Sequence, residues 1–129
     1  MSIESINPDS ILLEKEAMRK ARETHLQNLE EAMAAGDNEM AHRYFYNLAA
    51  HLEKYKRIYG FTDEETGINL KEIAKKVALF YLKCAKRVSG KAGANDNIKW
   101  LNEALKEGEL TCNDIGVSAE EIESLRPKS

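Results

Sequence analysis

Glu39-Met40-Ala41-His42 is the one spacing in this chain that belongs to a metal site, because a Glu and a His three apart on a helix can both face a di-iron centre inside a four-helix bundle. That chemistry needs the element twice. A second Glu-x-x-His is absent, and the chain has only three histidines. His25 falls in the middle of an apolar helical face, where a ligand, a general base or a core histidine with one hydrogen bond would each fit. Zinc spacing, a phosphate-binding glycine loop and a nucleophile elbow are missing. The residues therefore assign no catalytic group, no metal ligand and no cofactor, and the expected use is non-enzymatic, with a metal-binding helical-bundle enzyme as the second alternative.

The chemistry that does stand out is electrostatic. A net charge of −3 conceals a segregation: residues 71–91 hold seven basic side chains and one acidic, whereas residues 1–39 hold four and nine and residues 92–129 four and eight. Within Asn69–Gly90, an apolar set that includes Leu70, Ile73, Val77, Phe80, Tyr81 and Cys84 recurs every three or four residues and covers about half of a helix. The opposite face carries Lys75, Lys76, Lys83, Lys86 and Arg87. Either acids on the first and last segments answer that face, or it is a footprint for an acidic partner. Another protein is the expected partner. Nucleic acid, bound through the same residues with Lys91, is the alternative, and the acidic remainder of the domain opposes it.

The elements that position these residues are helical. Few aromatics, two prolines and abundant Ala, Leu, Glu and Lys favour an all-α fold. Asn7-Pro8-Asp9-Ser10 signals a helix start near Ser10, from which Ile11, Met18, Ala21, Leu26, Leu29, Ala32 and Met33 share a face to about Ala35. Gly36-Asp37-Asn38 then turns the chain. A second helix follows to Gly60, with Ala41, Tyr44, Phe45, Leu48, Leu52, Tyr55 and Tyr59 on one side. Tyr44, Tyr46 and Tyr55 on this helix join the basic face as candidate partner contacts.

Thr62 and Glu65 have capping-box spacing in the connector to the central helix. Ser89–Ala94 is a small, glycine-containing break, after which Asn95 or Asp96 is expected to cap a helix burying Ile98, Leu101, Leu105 and most of Trp100. The expected architecture is four main helices, an antiparallel hairpin packed on the central helix, with short C-terminal helical turns. A flexible N-terminus over 1–9, one domain over 10–126 and a tail over 127–129 complete the plan. Cys84 on an apolar face reads as a reduced thiol, and no apolar run approaches about 20 residues, so a soluble cytoplasmic protein without membrane contact is expected.

Two stretches resemble known motifs. Ala34–Phe45, with Gly36, Ala41 and Phe45 at the glycine, small-residue and aromatic positions, resembles the turn and second helix of a tetratricopeptide repeat over about residues 25–52. That family's tryptophan position falls on His25 and its small-residue position on Leu29, and no second copy follows at a period of 34. The resemblance implies a groove for a peptide or protein partner. Ile115-Gly116-Val117-Ser118 resembles the turn of a helix-turn-helix, but Glu120, Glu121 and Glu123 on the following helix have the wrong sign for phosphates. That segment reads instead as a C-terminal clasp, with a Ser118–Glu121 capping box and Ile122 and Leu125 docking inward.

Overall fold

A computed structural model describes residues 8–128, except that the side chains of Pro8, Asp9, Ile11 and Asp63 are not described. The fold is all-α. Its elements are α1 (Pro8–Ala34), α2 (Asn38–Tyr59), α3 (Asp63–Thr66), α4 (Leu70–Arg87), α5 (Gly93–Glu107), a 3₁₀ turn (Cys112–Ile115) and α6 (Ala119–Glu123). No strand occurs among the described residues, and none of their helices is long and apolar enough to cross a membrane.

α1 is described from Pro8, so it already includes the two residues before the expected start at Ser10. The expected capping role of Asp9 and the expected inward position of Ile11 lie outside the described side chains. The α1–α2 turn forms as its residues dictate. Gly36 takes φ 71°, a left-handed conformation costly for residues with a Cβ, and the Asp37 carboxylate caps α2 by accepting from the Met40 amide at 3.1 Å.

Three apolar clusters follow one another along this hairpin. At its open end Met18, Tyr55 and Phe61 pack together, and in the middle Leu48 and Leu52 meet Ile68. At the turn end Leu29, Ala32, Ala41 and Phe45 merge into the main core supplied by α4 and α5. The chain after α2 is strapped along the hairpin by the Arg22 guanidinium, which donates to the Thr66 carbonyl, and by Lys15–Glu65 at 3.1 Å. The expected Thr62–Glu65 box caps α3, with the Glu65 amide donating to the Thr62 hydroxyl at 3.1 Å.

α4 is the central helix. Asn69 caps it, and Ala74, Val77, Ala78, Tyr81, Leu82, Cys84 and Ala85 are buried against α5, α2 and the 3₁₀ turn. Alanines at the α4–α5 contact, Ala74, Ala78, Ala85, Ala94 and Ala104, let the two helices approach closely. The start of α5 corrects the sequence expectation. It begins at Gly93 behind Ala92, with no side-chain cap. Asn95 accepts instead from Arg126 at 3.0 Å. The backbone bonds Ala94 N–H to Lys91 and Asn95 N–H to Ala92 wind the first turn early, which small residues permit.

The tail is a clasp. Ser118 and Glu121 form the expected capping box, Ile122 is buried, and the Gly90 amide donates to the Leu125 carbonyl at 2.9 Å. Both cysteines are free, and burial pushes the Cys84 thiol up against the opposing pull of Arg87 and Lys83.

Candidate functional site

Lys75, Lys76, Lys83, Lys86 and Arg87 all lie exposed on the outward side of α4. At 100° per residue they fill a sector of about 120° that also holds exposed Glu72, and exposed Lys71 extends the wet side of the helix by about 40°. Leu79, 42 % exposed, sits at the centre of that sector. Among the described residues none of the five cations forms an ion pair. Among the described residues no acid of the first or last segment forms an ion pair with this face. Asp114 of the 3₁₀ turn senses the edge of the face: its carboxyl is held low first by hydrogen bonds from Thr111 and then by Lys71 and Lys75. Other charges on the chain do pair, as Arg19 with Glu16 and Glu23 at 2.9 Å each and Arg126 with Glu123 at 2.6 Å.

The three tyrosines separate. Tyr46 is 65 % exposed, and Tyr44 is half-buried against the main core. Tyr55 corrects the expectation of a partner contact: it is 8 % exposed, stacks on Tyr59 and Phe61, and donates its hydroxyl to Glu14 at 3.1 Å. A tyrosine that closes the interior of the hairpin is not available to a partner. Burial, then Glu14, push its phenol up.

The histidines find partners that sequence spacing does not indicate. His42 stacks on Trp100 of α5, centroids 5.0 Å apart and planes 19° apart, with its Nδ1 3.5 Å from Glu103, while Glu39 is exposed. No period links residues 42, 100 and 103; tertiary packing alone joins them. His25 meets His51 across the α1–α2 contact at 5.7 Å, and His51 Nε2 is buried without a hydrogen bond. Burial first, then His25 and Lys54, hold the His51 imidazole below its ordinary value. Among the described residues no group of three or more His, Cys, Asp or Glu is placed to hold a metal ion.

His42 and Trp100 line a groove of about 250 Å³ between α2 and α5. Phe45 and Ala49 form its floor, Tyr46 its rim, and Glu103, Lys106 and Glu107 its α5 wall. Sequence reasoning missed this groove, although Tyr46 was singled out. A broader depression of about 680 Å³ lies where the start of α4 meets the end of α5. It mixes Lys56 and Lys71 with Glu64, Glu107 and Glu109 and has no consistent charge.

Comparison with known protein families, curated proteins and solved structures returned no match. The functional reading therefore stands on the geometry of these two surfaces.

Proposed function

We propose that this chain is a non-enzymatic, cytosolic interaction module that binds an acidic surface of another protein through the outward face of α4. The observation that carries the proposal is the set of five exposed cations, without ion pairs among the described residues, gathered around exposed Leu79. Unpaired cations on one face attract and orient an acidic partner at long range, and an apolar side chain at the centre supplies contact area once water is expelled. The resemblance of residues 25–52 to a partner-binding helical hairpin supports the same reading. The free thiols Cys84 and Cys112 favour a reducing compartment. A protein is favoured over a polyanion because the chain outside α4 is acidic and would repel phosphates.

The test is a quantitative pull-down with the wild-type chain and with Lys75, Lys76, Lys83 and Lys86 all changed to Gln. A protein retained by the wild type after nuclease treatment, weakened by added salt and lost from the variant is the expected result. Retention equal in both baits, or captured material that nuclease removes, overturns the proposal.

A further inference from the structure

We infer that the groove between α2 and α5 receives a long cationic side chain, Lys or Arg, presented by a partner segment. This surface is independent of the basic face, and different observations carry it. At about 250 Å³ the groove is smaller than the roughly 300–1,000 Å³ usual for drug-sized ligands and suits one extended side chain. Its floor, Phe45 and Ala49, is apolar and takes a methylene stem. Above that floor the exposed Tyr46 ring offers a π face to a cation, beside Trp100, one face of which is covered by His42.

The charges select the sign of the head group. Glu103 and Glu107 stand one turn apart on α5, so both carboxylates border the groove on the same side. Glu107 forms no ion pair among the described residues, and Glu103 has only His42 Nδ1 at 3.5 Å, a contact an arriving guanidinium or ammonium readily replaces. Lys106 is the cation on this wall, and the two carboxylates outnumber it. An anionic occupant would meet both carboxylates; a neutral apolar one would leave them unused and partly desolvated.

Trp100 is the only tryptophan in the chain and lines the groove, so its fluorescence reports occupancy directly. The probes are N-acetyl-arginine amide and N-acetyl-lysine amide, with N-acetyl-citrulline amide as the neutral isostere of the first. A saturable fluorescence change in the millimolar range is expected for the cationic probes, with citrulline at least about tenfold weaker. Glu103→Gln with Glu107→Gln should erase that discrimination while the helical circular dichroism and melting curve persist. Lys83→Gln on the far face of α4 should leave it unchanged. Equal response to citrulline, no saturable response up to about 100 mM, or discrimination surviving in the double variant overturns the inference.

Discussion

Lys83→Gln should stabilise this protein. Lys83 lies one turn before Lys86 and Arg87, and cations three and four apart on a helix repel by about 0.2–0.5 kcal/mol per pair. Among the described residues no acid forms an ion pair with Lys83 to offset the two repulsions. Lys83 also precedes the last turn of α4, where Lys86 and Arg87 are favoured by the helix dipole, so neutralising it sacrifices little of that interaction. Gln and Lys have similar helix propensities, which leaves the charge as the variable. Removing two repulsive pairs yields a gain of roughly 0.4–1 kcal/mol.

Urea denaturation followed by circular dichroism checks the value. With a slope near 2 kcal/mol/M, the midpoint should rise by about 0.2–0.5 M at low ionic strength. At 1 M salt, where the screening length is about 3 Å, most of the gain should disappear. Lys83→Glu should raise the midpoint further, because a Glu four residues before Arg87 is the favourable orientation for a helical ion pair. A lower midpoint for Lys83→Gln would refute the reasoning, since it would mean that Lys83 is paired with an acid in solution. A gain indifferent to salt would refute it as well, by removing charge as the cause.

Two further outcomes follow from the interior. The folded protein holds the His51 imidazole below its ordinary value of 6.5 and so binds fewer protons than the unfolded chain. Stability should therefore be complete above about pH 6.5 and fall as the pH drops through that value. His51→Leu should flatten the change in urea midpoint over the same range; an unaltered slope would place its origin elsewhere. Asn97 is 3 % exposed, accepts from Asn38 at 2.9 Å and donates to the Gly93 carbonyl at 3.0 Å, tying α2 to the first turn of α5. Asn97→Ala should cost about 1–3 kcal/mol by removing both hydrogen bonds, and a loss below about 0.5 kcal/mol in thermal or urea unfolding would show that water replaces them.

The helices and their inward faces were legible because they depend on local period and cap chemistry. Gly36 with Asp37, Thr62 with Glu65 and Ser118 with Glu121 each act within a few residues and behave as their types dictate. The start of α5 was not legible. Asn95 has the chemistry of a cap, but Arg126, distant in sequence, recruits its side chain, while Gly93 and Ala94 wind without one. Tyr55 shows a related ambiguity, since its hydroxyl marks the edge of a helix face in sequence, and only the meeting with Glu14 from α1 makes that edge interior. The α2–α5 groove was hidden for the same reason. Its two walls belong to segments about sixty residues apart, and nothing in either period indicates that His42 will stack on Trp100.

The strongest argument that the α4 face is functional is the contrast with the rest of the chain. On α1, Arg19 is bracketed by Glu16 and Glu23, while Lys15 reaches Glu65 and lies 5.3 Å above the Phe61 ring. In the tail, Arg126 combines Glu123 with Asn95. The Arg19 and Arg126 ion pairs use ordinary helical spacing, so the same chain has the means to pair cations where pairing suffices. On α4 a glutamate at 79 or 83 would provide such a pair at no cost to the core, since both positions face water. The sequence has Leu79 and Lys83 instead, one exposed apolar side chain and one self-repelling cation, each less favourable for the isolated domain than an acid would be. Selection for stability does not explain that choice, whereas an acidic partner would supply the missing charges and cover the leucine together.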